Sequence, residues 1–585
     1  MDEQPAPRPA RRVRWPLMAL GIVMILLGGL VAWLLFDAWR LQGAAQDLES
    51  HAAAARDALG LRDVDQVESE IAAVDDAAHA FASAVDGPHW WLAAQIPWVK
   101  DQVAPLQAAG TAVEAVADDA IGPLIDVDGL TMLEEPPLED GRIDPYLLEP
   151  YRAPLAVAAT TLEDQGQALA EVDLSRSATI VQSAFVDLEN QIGALSDLVT
   201  AASHAAEVLP GVLGGEGERE YVVMVQNNAE PRATGGIPGA FIQLTVDDGR
   251  FTVGRYATEG NLLPDEPIPL TEDEERIFTF RLGYYPQDVN FTPEFPRTAE
   301  LTAELWAQAY GTRPDGVISI DPVALGWMLG GAEPLDADGT EITSANLSHV
   351  MLNRVYFLYE DPSEQDAFFA RTSRELFALM LEGPESLLDG VEHAIDDNRL
   401  LVWLAEDEAQ DLVDETSVAG AFLEDGGALG VFVNDGSGAK IGYYVDTTVT
   451  VTDYVCTDGS LDSETVEVSF AHVYDGDPAD LPEWVSGGGR YVPEGQFQAN
   501  LVVYPAVGTE VSGVFRDDEA TEAYPDVHDG RPMSQIRVTL DPGEQVTFRY
   551  EVDVTAADLG SPRIVQTPGP RDTEPTRLVE AAEGC

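Results

Sequence analysis

The sequence predicts a multidomain protein with one N-terminal transmembrane helix, an α-helical stalk, a central α/β (α+β) domain and a C-terminal antiparallel β domain. Three features support this fold class: an uncharged apolar run near the N-terminus, an alanine-rich region of helical periodicity, and a C-terminal region of alternating apolar and polar residues. The chain has 585 residues, and a single hydrophobic core stops growing at about 250 to 300 residues. Several domains are therefore expected.

The first predicted element is a transmembrane helix over 15–36, a run without any charged side chain that follows four arginines. As a helix this run would be about 33 Å long, enough to cross a hydrocarbon core of about 30 Å. Basic residues resist translocation, so residues 1–14 are predicted to form a cytoplasmic tail, with the bulk of a single-pass membrane protein outside the cell. The alternatives are a buried core helix and a cleaved signal peptide, whose apolar stretch normally has about 7 to 15 residues.

The other domain boundaries follow changes in composition along the chain. Alanine-rich helical patterns give way to short strands, an Asp-Gly turn and proline-initiated helices, and finally to alternation of period two with frequent turns. The predicted domains are a helical stalk over 37–210 with a linker near 126–150, an α/β domain over 211–395, a connecting segment over 396–440, a β-sandwich-like domain over 441–558 and a loose tail over 559–585.

The charge of the chain excludes one class of partner. Its formal net charge is −71, and such a surface repels nucleic acid and attracts cations. Nucleic acid is therefore not an expected partner. An alternative explanation for the acidic composition of this chain is adaptation of the whole proteome to high salt. Lys100 and Lys440 are the only lysines in the sequence.

The two cysteines, Cys456 and Cys585, both lie on the predicted extracytoplasmic side. An oxidising compartment permits a disulfide bond between them, which would tie the C-terminus to the last domain. A metal site is a weaker interpretation, because the eight histidines are scattered and form no recognised ligand motif. The identity of any metal stays open.

The densest polar stretch of the sequence runs from Gln226 to Gly236, directly after a predicted strand. Strand ends in α/β domains are where ligand-binding groups gather. In this stretch Glu230 could ligate a cation or accept a proton, and Arg232 could bind a phosphate or carboxylate with two hydrogen bonds. The alternative is a structural turn in which these side chains satisfy one another. The candidate binding residues are Gln226, Asn227, Asn228, Gly235 and Gly236, with weaker candidates at Asp288, Asn290, Arg297 and Asp315.

Three strings of sequence that contain or adjoin these candidates resemble a known family. The strings are Gln226-Asn227-Asn228-Ala229-Glu230 with Arg232 and Gly235-Gly236, then Asp288-Val289-Asn290-Phe291-Thr292-Pro293, then Asp315-Gly316-Val317-Ile318-Ser319-Ile320-Asp321-Pro322. They resemble a family of bacterial single-pass envelope proteins known as domain of unknown function 4012. This resemblance covers about residues 215–381 and implies no proven activity.

The order of elements is more distantly similar to that of the LytR-CpsA-Psr cell-wall polymer transferases. That similarity implies a prenyl-pyrophosphate-linked precursor, transfer of a cell-wall glycan and a divalent cation such as Mg2+. Glu230, with Asn228, would then stand near the metal and Arg232 near the pyrophosphate, both as catalytic residues. Asn290 and Arg297 would line the far wall. The arginine strings typical of those transferases are not found around these candidate residues.

Two hypotheses about function follow. In the first, a membrane-anchored envelope protein binds or transfers a lipid-linked cell-wall polymer, with the lipid bilayer and the glycan as partners. In the second, the chain is a non-enzymatic scaffold of the cell envelope. The sequence contains no G-x-S-x-G, Walker or G-x-G-x-x-G motif in a suitable context, which disfavours other enzyme classes. Whether the protein is an enzyme stays open.

Overall fold

The computed structural model describes residues 33, 40–48, 50–54, 58, 64–125, 138, 139, 141–456, 460–556 and 561–582. The chain divides into two compact units. The first unit comprises 1–137 and 146–207, and the second comprises 138–145 and 208–585.

The first unit is helical. Its core residues recur every seven positions on the last two helices, at Leu155, Leu162 and Leu169 and again at Phe185, Ile192, Val199 and Ala206. This spacing places one apolar stripe on each helix and lets the two stripes pack together. The helices described in full are Val64–Val85, Pro88–Ala93, Pro97–Ala115, the π-helix Val116–Ile121, Gly122–Ile125, the 3-10 turn Glu149–Tyr151, Arg152–Ala170 and Thr179–Val212, which continues into the second unit.

The predicted fold class needs correction in its membrane element. Among the described residues no helix is both long enough and apolar enough to cross a membrane. The longest helix, Thr179–Val212, carries Asp187, Glu189 and Asp197 along its length, and charged side chains at that spacing are costly in hydrocarbon. What the described residues form is a mixture of helices and several β-sheets. The segment 15–36 lies outside the described residues, except for Trp33.

The second unit is built on a seven-stranded sheet whose strand order is β1-β2-β5-β4-β3-β6-β9. The central strands β3, β4 and β5 are antiparallel neighbours, whereas β6 runs parallel to β3. The strands are β1 (Leu138–Glu139), β2 (Arg142–Ile143), β3 (Arg219–Arg232), β4 (Gly235–Asp247), β5 (Arg250–Ala257), β6 (Gly316–Ile320) and β9 (Leu401–Leu404), with a separate hairpin of β7 (Leu335–Ala337) and β8 (Thr340–Ile342).

The β3–β4 hairpin extends further than the sequence predicted. Strand β3 does not end at Gln226 but continues to Arg232, and the chain turns only at Ala233 and Thr234. The register shifts between Asn227, which pairs with Ile237, and Pro231, which pairs with Gly236. The three residues in between, 228–230, therefore form a β-bulge, a feature that redirects side chains without ending a strand.

The helix Phe295–Tyr310 covers one face of this sheet. Its buried side chains Phe295, Leu301, Leu305 and Trp306 join strand residues in one core, and Gly311 ends the helix in the left-handed conformation. The remaining helices of this part are Glu259–Leu262, Glu272–Ile277, the 3-10 turn Pro286–Asp288, Pro322–Met328, Leu347–His349, the π-helix Val350–Arg354, Val355–Leu358, Pro362–Met380, Leu387–Asp396, Asp407–Asp414 and the 3-10 turn Ser417–Ala419.

Two further sheets share one core in the C-terminal part. Side chains of both sheets, such as Val431, Leu501, Phe470 and Phe548, belong to the same buried cluster. The sheet orders are β16-β17-β13-β10-β19 and β15-β14-β18-β12-β11-β20. Their strands are β10 (Ala428–Asp435), β11 (Val445–Val455), β12 (Leu461–His472), β13 (Phe497–Tyr504), β14 (Thr509–Arg516), β15 (Glu519–Ala520), β16 (Tyr524–His528), β17 (Arg531–Leu540), β18 (Gln545–Val554), β19 (Arg563–Gln566) and β20 (Thr576–Ala581). The short helical pieces here are Lys440–Tyr444, Pro478–Asp480, Glu483–Ser486 and Gly487–Gly489.

The segment predicted as a loose tail, 559–585, contributes two of these strands. Strand β19 pairs in parallel with β10, and β20 pairs in parallel with β11. Between them, the backbone oxygens of Gly569 and Arg571 accept hydrogen bonds from the buried guanidinium of Arg399, at 2.9 and 3.1 Å. Sequence composition does not reveal such contacts, because the partner lies 170 positions away. Cys585 lies outside the described residues, so its bridge to Cys456 stays a prediction.

Candidate functional site

A cleft of about 700 Å3 opens in the second unit beside the bulged end of the β3–β4 hairpin. The hairpin supplies Asn227, Glu230 and Arg232, the turn before Phe295 supplies Asp288, and the C-terminal sheets supply residues from 432 onward. A volume of this size is typical of sites for small ligands or short polymer segments. We therefore take this cleft as the candidate functional site.

A chain of alternating charges runs along the wall of the cleft. The Nη2 atom of Arg232 lies 3.1 Å from Oε1 of Glu230 and 3.4 Å from Oδ1 of Asp288. The other oxygen of Asp288 lies 2.6 Å from Nη2 of Arg281, and the other oxygen of Glu230 lies 3.4 Å from Nζ of Lys440. Three cations thus share two carboxylates; Arg232, Glu230 and Asp288 are buried, the side chain of Lys440 is 14% exposed and that of Arg281 is half exposed.

The protein contacts both terminal nitrogens and one face of the Arg232 guanidinium, and leaves only Nε without a partner among the described residues. The Arg232 side chain is 4% exposed, its carbon Cζ lies 4.7 Å from the centre of the Phe291 ring, and its Nη1 atom donates to the Pro231 carbonyl at 3.0 Å. Burial opposes its charge, but Glu230 and Asp288 outweigh that effect and raise the pKa of Arg232. Its Nε atom is buried without a hydrogen-bond partner among the described residues.

Asp435 is another carboxylate of the cleft, and its hydrogen bonds differ from those of Glu230 and Asp288. Its oxygens accept hydrogen bonds from the Ser437 hydroxyl at 2.6 Å and from the Gly438 amide at 2.7 Å, so it caps its own turn. Burial, helped by the nearby charge of Glu230, raises the pKa of Asp435 to about 7. Burial also raises the pKa of Asp288, although Arg232 and Arg281 oppose this shift.

Lys440 occupies an aromatic setting in the cleft. Its ammonium lies 5.4 Å from the centre of the Tyr356 ring and 5.8 Å from that of Trp484, a geometry in which aromatic faces stabilise a cation. Burial alone would lower its pKa, but interactions with Tyr356 and Glu230 raise the pKa of Lys440 overall. The side chain therefore remains protonated at neutral pH.

Several residues of the predicted motif hold the hairpin together, and of these only Gln226 also lines the cleft. Gln226 accepts hydrogen bonds from the Gly236 amide and from Asn290, both at 2.9 Å, and donates to the Thr234 carbonyl at 3.0 Å. Asn290 also donates to the Gly236 carbonyl at 2.8 Å. Gly235 lies over the Gln226 amide with a φ of +141°, a conformation that favours glycine. These contacts stabilise the hairpin, and a ligand-binding role for Gln226, Gly235 and Gly236 stays a prediction.

The two asparagines at the bulge point in different directions. Asn227 lines the cleft and donates to the Tyr356 hydroxyl at 2.8 Å. Asn228 donates to Asp321 at 2.9 Å and to the Pro568 carbonyl at 3.1 Å, away from the cleft residues. Their neighbour in sequence, Glu230, returns to the cleft, as expected for a bulge that turns successive side chains to different sides.

Two weaker candidates lie elsewhere. Arg297 pairs with Glu274 at 2.6 Å and with the exposed Glu300 at 3.0 Å, so it ties its helix to the preceding one. Asp315 accepts from the Glu220 amide at 2.8 Å and pairs with Arg219 at 3.3 Å, at the start of strand β6. Neither residue lines the cleft. Asp315 lies near the start of strand β3, at the end away from the cleft, and Arg297 is turned toward Glu274.

The residues around Glu230 do not fit the predicted Mg2+. Both oxygens of Glu230 and both oxygens of Asp288 face a guanidinium or an ammonium group. Asn228, the other proposed ligand, contacts Asp321 and a backbone carbonyl instead. A divalent cation there would have to displace cations already held by the protein, so we derive no chemistry from a metal at this position.

Sequence reasoning missed Lys440, Asp435, Arg281 and Tyr356. They come from four separate segments, and only the fold brings them to the β3 bulge. One signal was available for Lys440, since it is one of two lysines in a chain whose other basic residues, histidine aside, are arginine. Because lysine is so rare in this sequence, the general composition of the chain does not explain a lysine at position 440.

Comparison with known proteins supports one family. Residues 216–356 match the family model described as "Protein of unknown function (DUF4012)". No curated protein and no solved structure gives a significant match to the chain. The likeness to the LytR-CpsA-Psr transferases gains nothing from these comparisons and stays a prediction. The match confirms the resemblance to the DUF4012 family of proteins of unknown function for residues 216–356, which include the bulged hairpin, Asp288 and Tyr356.

Proposed function

We propose that the cleft binds a segment of a cell-envelope glycan and that the protein acts there as a binding protein rather than as a transferase. The observation that carries this proposal is a set of three buried polar atoms that belong to cleft-lining residues and lack hydrogen-bond partners among the described residues. They are Arg232 Nε, Tyr256 Oη and Gln287 Oε1.

These three atoms call for a ligand that both donates and accepts hydrogen bonds. Arg232 Nε can only donate, Gln287 Oε1 can only accept, and the Tyr256 hydroxyl does either. A bare phosphate or pyrophosphate dianion only accepts, and it would leave Gln287 Oε1 unsatisfied. Sugar hydroxyls do both, and burying an unsatisfied polar atom costs about 1 to 3 kcal/mol.

The rings of the cleft favour the same ligand class. Nine aromatic side chains line it, among them Tyr256, Phe291, Tyr356 and Trp484, and Trp484 and Tyr491 remain 44% and 70% exposed at the surface. A pyranose ring presents C–H groups on its face and hydroxyls at its edge, which suits an aromatic surface beside polar groups.

The charges argue against transfer from a pyrophosphate-linked donor. Such a step needs unpaired positive charge against the leaving group, whereas Arg232 is already held between two carboxylates. The lining also includes the acidic residues Glu259 and Asp366, so the cleft is not the basic pocket that transfer would require. The prenyl-linked precursor is therefore the weaker ligand.

The test is titration calorimetry of the full-length protein with oligosaccharides released from bacterial cell-wall polymers. Tyr256→Phe removes one unpaired hydroxyl and should weaken binding roughly 3- to 10-fold. Tyr550→Phe is the matched control, because its hydroxyl is also buried and unpartnered among the described residues but lies outside the cleft. No binding by the unaltered protein, or equal losses in both variants, would refute the proposal.

A scaffold role is the second candidate function. The hydrogen bonds of Gln226 and Asn290 around Gly236 favour it, because these motif residues lock a hairpin. If Asn290→Ala lowers the free energy of unfolding without changing glycan binding, that part of the motif serves structure alone. The location of the protein in the cell envelope belongs to the same proposal.

A further inference from the structure

We infer that the glycan bound in this cleft carries an acidic substituent, a carboxylate or a phosphate, whose oxygens bind the ammonium of Lys440. This inference rests on the proposed function and adds the class of glycan. It starts from the hydrogen bonds that Lys440 makes and from those that it leaves unmade.

Lys440 has donors to spare. An ammonium group has three N–H donors, and the one hydrogen bond of Lys440 to described residues is the contact with Glu230, at the long distance of 3.4 Å. The neighbouring aromatic rings of Tyr356 and Trp484 stabilise the positive charge of Lys440, but their faces replace neither of the missing oxygen acceptors. Two donors therefore have no acceptor among the described residues and are free to bind a ligand.

Along this wall of the cleft the contacting cations outnumber the contacting carboxylates by one, so one further anion would balance the charge. The contact chain holds three cations, Arg281, Arg232 and Lys440, against two carboxylates, Glu230 and Asp288. Asp435 does not restore the balance through contacts, because its oxygens accept from Ser437 and Gly438 rather than from a cation. Its raised pKa of about 7 reduces its charge further near neutral pH.

The position of Lys440 suits a substituent on a sugar. Glu259 and Asp366 both interact with Tyr256, so an acidic group would be repelled close to the Tyr256 hydroxyl. Lys440 instead lies near Trp484, and the cationic Arg490 also lines the cleft. In a chain of net charge −71, this is a local site where a negative charge is attracted.

The experiment uses three oligosaccharides of equal length, one neutral, one bearing a uronate and one bearing a phosphate, titrated into the full-length protein. The unaltered protein should bind at least one acidic form about tenfold or more tightly than the neutral form. The preferred acid identifies the substituent. In Lys440→Gln the ratio of acidic to neutral affinity should fall to about one, and Lys440→Arg should restore part of it.

The matched control is Lys100→Gln, which changes the only other lysine, an exposed one in the helical unit, and should keep the ratio. Equal binding of neutral and acidic forms by the unaltered protein overturns this inference but leaves glycan binding intact. The same holds if Lys440→Gln weakens all three ligands equally. Failure of every oligosaccharide to bind overturns the proposed function as well.

Discussion

The ammonium of Lys440 lies 3.4 Å from Oε2 of Glu230, a residue 210 positions earlier in the chain. This contact joins the C-terminal sheets to the bulge of strand β3. The same carboxylate holds Arg232 through its other oxygen. Glu230 is therefore a shared counter-ion for two buried cations, and the stability of the cleft depends on it.

Replacing Glu230 by Gln should destabilise the second unit. The change leaves the charges of Arg232 and Lys440 buried close to one another without their shared carboxylate, and breaking a buried ion pair costs about 3 to 5 kcal/mol. Denaturant unfolding followed by circular dichroism measures this loss. Glu300→Gln breaks an exposed pair with Arg297 and should cost less than about 1 kcal/mol. Similar losses in the two variants would contradict the account.

Replacing Gly236 by Ala should disrupt the hairpin. A Cβ atom at this position would lie 2.1 Å from the carbonyl carbon of Asn227, so the backbone must move, at a cost of about 1 to 3 kcal/mol or more. Gly239→Ala is the control in the same strand, because its nearest neighbour atom would be 3.8 Å away. The melting temperatures of the two variants should differ clearly, and a tolerated Gly236→Ala would argue against the bulge described here.

Asp435 should make stability depend on pH. Its folded pKa of about 7 lies above the ordinary value of 3.8, so the folded protein binds this proton more tightly than the unfolded chain. The stabilisation present below pH 4 is lost as the pH rises through 7. Asp435→Asn does not titrate, so the variant should gain stability relative to the unaltered protein between pH 4 and 8, by roughly 2 to 4 kcal/mol. Unfolding curves that stay parallel across this range would refute the prediction.

Arg399→Met should loosen the segment between strands β19 and β20. The guanidinium of Arg399 pairs with Asp321 at 2.8 Å and donates to the carbonyls of Gly569 and Arg571. Without it, limited proteolysis should cleave between residues 567 and 575 several times faster. The control is Arg563→Met, which removes the exposed ion pair between Arg563, the first residue of strand β19, and Asp425. The cleavage rate of this variant should equal that of the unaltered protein. Equal rates in both variants would show that Arg399 does not hold the segment.

Local signals were enough to predict some elements. Strand β6, Gly316–Ile320, follows from such signals, because a β-branched apolar run lies between Asp315 and a proline. The helix that follows begins at Pro322, and Asp321 caps it by accepting from the amides of Val323 and Ala324. In these places the residues that decide the structure are neighbours in sequence.

Long-range relations could not be predicted in this way. The bulge at 228–230 arises from pairing with strand β4, and nothing in the local string marks an extra residue. Arg297 and Asp315 are as polar as Arg232 and Asp288, yet their partners place them outside the cleft. Lys440 reaches the site from the C-terminal part through the fold alone. The prediction of a membrane-spanning helix rested on a segment that lies outside the described residues, and no described helix replaces it.

The most direct test is the crystal structure of the full-length protein with a saturating cell-wall oligosaccharide. The account predicts that sugar hydroxyls contact Tyr256 Oη and Gln287 Oε1, and that a ring packs against an aromatic side chain of the cleft. A sugar bound elsewhere, or a cleft left empty at saturating ligand, would contradict it.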